Sequence, residues 1–185
     1  VAATGILRVP AILSEGAAVN SIIVFGVEPE STQTIHNYQL AAGRFLEEGD
    51  QGAMVITRRL AELAKLSPGD TFSVPSADGT TDFEIVGVIE ALDLPGTDGV
   101  YVTLEDAQKT FNQTGLINSI EVSYKAGVDR AALSAEIAST LGDRYQMGEV
   151  DSLRALQSYL QVAEVIINIF GLAALVMGGF IIFIT

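Results

Sequence analysis

His36 is the single histidine of the chain, and cysteine is absent. Those two counts restrict the chemistry at once. A Ser/His/Asp site needs its histidine beside an activated serine, and the sequence holds no Gly-x-Ser-x-Gly turn. A zinc site of the His-Glu-x-x-His kind needs two histidines. Disulfides, thiol catalysis and cysteine-based zinc sites are excluded outright. No Gly-x-x-x-x-Gly-Lys-Ser/Thr run is present to cradle a triphosphate, so any use of ATP must come from a partner. The expectation is a loop histidine, no catalytic residue, no cofactor and no resident metal.

The carboxylates point the same way. Asp93, Asp98 and Asp106 invite a calcium reading, but their spacing is not that of an EF-hand loop. Asp106 sits three residues after Thr103, where it serves a helix start. Asp78-Gly79 is a hairpin turn rather than a carboxylate pair for acid–base work. Arg44 has Glu47, Glu48 and Asp50 within reach for an ion pair. Gly43 and Gly87 mark turns or close backbone approaches.

The elements that must carry these residues follow from hydropathy and capping. Residues 1–13 and 19–28 read as strands, the second carried by Ser21-Ile22-Ile23-Val24-Phe25-Gly26-Val27 and ended by Pro29. A short helical or irregular stretch runs on to Tyr38. Gly43-Arg44-Phe45 turns into a loop before the short buried strand Ala53-Met54-Val55-Ile56. Thr57 caps a helix bearing Leu60, Leu63, Ala64 and Leu66, and Pro68-Gly69-Asp70 stops it. Thr71–Val74 and Asp82–Glu90 form a hairpin, and Asp93–Gly99 is the candidate boundary. Gly99–Val102 returns as a strand, and Thr103 caps a helix with Glu105 and Asp106 in its first turn. In Ile117–Tyr124, Ile120, Val122 and Tyr124 alternate with Ser119, Glu121 and Ser123, which predicts a half-buried strand with the apolar set inward. Asp129 opens a helix with Leu133, Ile137 and Leu141 on one face and Gly142 at its C′ position. Tyr145–Val150 reads as a further strand.

From Asp151 onward the sequence contains no proline and reads as one long helix. Residues 151–164 form a stalk whose seam is Leu153, Leu156 and Leu160. Residues 165–185 carry no charge at all, and about 20 apolar residues suffice to cross a bilayer as a helix. A membrane span is therefore expected there, in contact with the lipid bilayer, with Gly171, Ala174 and Gly178 on the face that packs against another helix. Glu164 falls in the headgroup zone. The last basic residue is Arg154, so no positive cluster precedes the span, which places residues 1–164 on the extracytoplasmic side. The chain has 23 acidic and 10 basic residues, a net charge of −13. Nucleic acid, which demands basic patches, is excluded as a partner. The acidity reads as a solvated surface. Both ends read as continuing into further sequence.

The ordered set Leu40-Ala41-Ala42-Gly43-Arg44-Phe45, Gly49-Asp50, Ala53-Met54-Val55-Ile56-Thr57, Leu60-Ala61, Gly69-Asp70-Thr71 and Phe83-Glu84-Ile85-Val86-Gly87-Val88-Ile89 resembles the MacB-like periplasmic core domain of the FtsX-like ABC transporter permeases. The resemblance implies an α+β extracytoplasmic domain of two small mixed lobes, followed by a long stalk and a transmembrane helix. One lobe, membrane-proximal, would comprise residues 1–38 and 99–150, and the other an inserted segment, 39–98. The implied setting is the cell (inner, cytoplasmic) membrane. The implied partners are a cytoplasmic ABC ATPase subunit and a second permease copy or homologue. The implied function is export or mechanotransmission by a permease that is not itself an enzyme. A membrane-tethered binding or sensor module is the alternative, distinguished by a single span in place of four.

Capped helices and alternating strands upstream of the stalk predict that residues 1–151 fold without the rest. Circular dichroism and limited proteolysis of that segment should show a protease-resistant, mainly monomeric α+β protein. A disordered product is the result that sinks the expectation.

Overall fold

The computed structural model describes residues 2–13, 21–76, 79–90, 99–124, 128–142 and 170–171. In chain order the described elements are β1 (Ala2–Ile12), β2 (Ser21–Val27), α1 (Pro29–Ile35), β3 (Gln39–Gly43), β4 (Ala53–Thr57), α2 (Arg58–Ala64), β5 (Thr71–Ser76), β6 (Gly79–Glu90), β7 (Gly99–Thr103), α3 (Leu104–Thr110), β8 (Ser119–Ser123) and α4 (Arg130–Leu141). The chain divides into two units, Val1–Asp129 and Arg130–Thr185.

The first unit is built on one mixed sheet of order β3-β6-β4-β7-β2-β1-β8, with β5 paired to β6. Strand β1 is long enough to pair twice. Its residues Ala2–Ile6 run antiparallel to β8, and Leu7–Ile12 antiparallel to β2. Strands β2 and β7 are parallel neighbours, Ile23 opposite Gly99 and Val27 opposite Thr103. The chain between them is therefore an excursion that starts at the Val27 end of the pair, adds β3, β4, β5 and β6 to the same sheet, and returns at the Gly99 end. Within that excursion β4 lies parallel to β6 and antiparallel to β7. All five residues of β4 are buried, as a strand covered on both faces requires.

Alternation sorts the side chains onto two faces. Val24, Met54, Ile56, Val100 and Val102 join a core that includes Leu60 and Ala61 of α2 and Ala107 of α3. Their strand neighbours Val27, Ala53 and Val55 join a second core with Phe45 and Leu46, against which Phe25, Tyr38 and Tyr101 pack. The caps form as residue type demands. Thr57 Oγ1 accepts from the Leu60 N–H at 3.4 Å, and Thr103 Oγ1 from the Asp106 N–H at 3.2 Å. Helix α2 ends one turn before Pro68, at Lys65, which is left-handed at φ +57°. In the second unit, Gly142 follows α4 at φ +69° and its N–H reaches Ala138 O at 3.0 Å, the glycine stop expected of it.

Three expectations need correction. Gly43, read with Arg44 and Phe45 as a turn into a loop, instead ends strand β3, because Val88 and Ile89 of β6 offer residues 39–43 a ladder that no local pattern reveals. Leu63, assigned to the apolar face of its helix, is 45% exposed, since α2 is short and turns only Leu60 and Ala61 fully inward. In β8 the parity is the reverse of the apolar pattern: Ile120 is 43% exposed and Glu121 is buried. Pairing with β1 sets that register, Gly5 opposite Ile120 and Thr4 opposite Glu121. The stalk, with Leu153, Leu156 and Leu160, and the span, with Ala174 and Gly178, lie outside the described residues, as do residues 91–98 and the strand expected at 145–150. Gly171 is helical and exposed, with open space around it. Among the described residues no helix is long and apolar enough to cross a membrane.

Two glycines close the β3–β6 edge. A methyl group on Gly87 would lie 1.9 Å from Arg44 O, and one on Gly43 2.2 Å from Val86 O. The backbones meet there directly, and the Arg44 N–H donates to Val86 O at 3.0 Å. Gly49, by contrast, has φ +88° and open space around its missing side chain. Gly87→Ala should cost about 3 kcal/mol or more, because backbone must move. Gly49→Ala should cost about 1 kcal/mol, from the left-handed conformation alone. Urea unfolding of the two variants checks the order, and equal losses would refute the steric reading.

Candidate functional site

On the second face of the sheet, parity brings together side chains that lie far apart in sequence. Thr4, Ile6 and Arg8 of β1 point to this face, together with Phe25 of β2, Tyr101 of β7 and Glu121 of β8. His36 caps the C-terminal end of α1, and Tyr38 follows it. Glu121 is the hub. Its Oε1 takes the Arg8 guanidinium at 2.5 Å and its Oε2 meets His36 Nε2 at 2.5 Å. Its side chain is 9% exposed, so the carboxylate is desolvated and two partners compensate it. The hydrogen bond from His36, with the charge of Arg8 behind it, holds Glu121 below the usual carboxylate range despite burial.

Aromatic rings surround the hub. Phe25 stacks on Tyr101 with centroids 5.0 Å apart, and Tyr38 stacks on Phe45 at 5.0 Å. Tyr38 meets Tyr101 edge-on at 5.5 Å, and the Arg8 guanidinium lies 5.6 Å from the Phe25 centroid. Burial, first among the causes, pushes both tyrosine hydroxyls up, so they keep their protons across the physiological range. A carboxylate held ionised by Arg8 and a hydrogen bond from His36 is a poor proton acceptor, and a protonated phenol is a poor nucleophile. The chemistry of the cluster is ion pairing and packing.

A second constellation staples the loop after β3. Of the three acids within reach of Arg44, Asp50 takes the bidentate pair, Nη1 to Oδ2 at 2.7 Å and Nη2 to Oδ1 at 2.9 Å. Glu47 stands 4.0 Å away, and its N–H donates to Asp50 Oδ2 at 2.9 Å. Arg44 holds the Asp50 carboxyl below its usual range. Asp106, besides its place at the start of α3, accepts the Gly52 N–H at 2.8 Å and ties the loop to that helix. Between α1, this loop and α3 lies an open cleft of about 420 Å³, with Glu28, Glu30, Glu48, Asp50 and Glu105 on its walls. Among the described residues no group of His, Asp and Glu side chains is placed to hold a metal ion. Asp78, Asp93 and Asp98 lie outside the described residues.

The sequence reading of His36 as a loop histidine missed its partner. The one signal for Glu121 was an acid between Ile120 and Val122, and local alternation sent it outward with Ser119 and Ser123.

The profile of the MacB-like periplasmic core domain matches residues 1–140. Among solved structures, the periplasmic region of MacB from Actinobacillus actinomycetemcomitans superposes with a TM-score of 0.57 at 18% identity, over 75% of this chain and 64% of that one. The extracellular domain of YknZ, a noncanonic ABC-type transporter of Gram-positive bacteria, superposes with a TM-score of 0.54 at 18% identity, over 75% of this chain and 69% of that one. At that identity the likeness is one of fold. No curated protein sequence matches the chain.

The Arg44–Asp50 staple sets a pH dependence. Because the folded state depresses the Asp50 value, its contribution is present above the ordinary carboxylate range and is lost as pH falls through the folded value. Arg44 is 42% exposed, so solvent screening limits the pair to about 1 kcal/mol. Asp50→Asn should lower the unfolding free energy by that amount at neutral pH, and the gap from the unmodified chain should narrow near about pH 3. Urea titrations at the two pH values measure both quantities.

Proposed function

This chain belongs to the MacB-like periplasmic core domain family, and from that membership we propose that it is the extracytoplasmic part of a permease subunit in an ABC export or mechanotransmission system. One observation carries the reading: a family match over residues 1–140 followed by a charge-free apolar stretch over residues 165–185. A water-facing domain joined to about 20 apolar residues is the pattern of a membrane-anchored head. The fold match to the periplasmic region of MacB and to the extracellular domain of YknZ supports the same side of the membrane for this domain.

In this proposal ATP is hydrolysed by a separate cytoplasmic ATPase subunit. The permease, paired with a second copy or homologue, relays the motion outward to cargo or envelope partners. Leu153, Leu156 and Leu160 form the seam of the stalk, and Gly171, Ala174 and Gly178 the close-packing face of the span in the cell membrane. Residues 39–98 act as an inserted lobe. The pairing of β2 with β7 supports an insertion, since the two strands that flank the intervening chain are direct neighbours in the sheet. No hydrolytic chemistry is assigned to this domain, whose charged clusters are ion pairs.

The relay reading is tested in the complete transporter. No proline interrupts residues 152–185, and a helical rod transmits displacement where a hinge dissipates it. Gln161→Pro removes a backbone hydrogen bond and bends the helix at a cost of about 3 kcal/mol. Export or signalling should fall strongly while the head stays folded and the ATPase stays bound, and Gln161→Ala should retain activity. Full activity in a normally inserted proline variant would make the stalk a mere tether and favour the sensor module.

A further inference from the structure

Helix α1 is held to the sheet in an unusual way. Its one fully buried residue is Thr32, a polar one, and the Thr32 hydroxyl has no hydrogen-bond partner within the protein. Thr4, on the face of β1 that α1 packs against, is 2% exposed and its hydroxyl is likewise unpartnered. A buried hydroxyl left without a partner subtracts from the stability of the contact that buries it. Gln33, reaching Leu46 O at 3.4 Å, adds only a long hydrogen bond. Helix α2 is secured by the buried Leu60 and α3 by the buried Ala107, whereas the apolar residues of α1, Pro29 and Ile35, are only half-buried. What fastens it is His36, at its C-terminal end, on the carboxylate of Glu121.

We propose that Glu121 is a latch that clips the C-terminal end of α1 to the β1–β8 edge of the sheet, and that α1 is the element of residues 1–129 that releases when this carboxylate loses its charge. The geometry divides the labour between two oxygens. Oε1 is anchored to Arg8 on β1, inside the sheet, and Oε2 holds the helix through His36. The groups that face the latch are Arg8 from β1, His36 from α1, Tyr38 from the segment that follows, and Tyr101 from β7. Phe25 of β2 is uncharged, and Thr4 is opposite Glu121 in register. Both tyrosines are neutral, so neither replaces the missing anion. Glu28 and Glu30 stand at the other end of α1, where Glu28 accepts the Ser31 hydroxyl at 3.0 Å.

Protonation of Glu121 therefore leaves Arg8 and His36 on one site with no anion between them. The carboxyl is held below its usual range, so the latch is closed at neutral pH and opens as pH falls through the folded value. The proposal stands apart from the assignment to a transporter, because it concerns this domain's own mechanics.

The chain has no cysteine, which suits it to single-site spin labelling. Thr34→Cys places a nitroxide on the exposed side of α1, and Glu62→Cys places a reference on the exposed side of α2. Mobility is read by electron paramagnetic resonance on the 185-residue chain in detergent micelles, from about pH 8 to about pH 3. The α1 label should gain a mobile component at the acid end with a midpoint below about 4.3, the ordinary glutamate value, and the α2 label should not. In Glu121→Gln the α1 label should be mobile at neutral pH, with no further change on acidification. Arg8→Gln keeps the clip but removes one stabiliser of the carboxylate, so α1 should stay ordered at neutral pH while the midpoint rises. If Glu121→Gln mobilises both labels and so fails to fold, His36→Ala, at a side chain 34% exposed, carries the test. It should free α1 at neutral pH while α2 stays ordered. An ordered α1 in His36→Ala, an acid response that survives in a folded Glu121→Gln, or α1 and α2 labels that loosen together when the otherwise unmodified chain is acidified would each overturn the latch.

Discussion

The first unit depends on the backbone ladder between β4 and β7. Met54, Val55 and Ile56 stand opposite Val102, Tyr101 and Val100, and through these pairs residues 39–90 join the strands on either side of them in sequence. A sheet transmits its hydrogen-bond geometry only while the ladder is unbroken, and β4 is buried on both faces so that nothing competes for its backbone groups. The β2–β7 pair beside it closes the excursion. Phe25 and Tyr101 on the second face take their positions from the β2–β7 pair, and Glu121 takes its own from the pairing of β8 with β1.

The two faces are stabilised by different physics. The face under α2 and α3 is a continuous apolar core with Met54, Ile56, Leu60 and Phe83 fully buried. Burial of such side chains is worth about 1.5–3 kcal/mol each before entropy is counted, and that surplus tolerates local strain. The opposite face mixes a smaller apolar core with aromatic stacking and a desolvated ion pair. Buried charge contributes little net stability against an apolar substitute, yet removing one partner is costly. Such a face specifies an arrangement more than it strengthens it. At the far edge the Gly43–Gly87 contact works in the same sense, since two backbones that touch without side chains admit one registration.

Much of this was legible in the sequence, because the signals were local. Thr57 and Thr103 capped their helices where a hydroxyl was followed by helix formers, since a cap needs only residues three apart. Gly142 ended α4 where the pattern placed it, and Gly43 and Gly87 proved to be the close approaches their type suggested. The ordered motif between Leu40 and Ile89 identified the family before any fold was known. Strand β3 escaped notice, because an edge strand of small exposed residues carries no alternation of its own.

The sequence alone determined the class of fold, the caps and turns, the family, and the lack of a cysteine, a second histidine or a phosphate loop. Each of these is a property of composition or of neighbours in the chain. Tertiary structure alone decided which acid His36 and Arg8 would share, and which side of β8 would face the core. Glu121 lies 85 residues from His36 and 113 from Arg8. The parity of a short strand is set by the partner it pairs with, so local alternation gave Ile120 the place that β1 awarded to Glu121. A single-residue register turns every side chain to the opposite face, and that register is fixed only when the distant strand arrives.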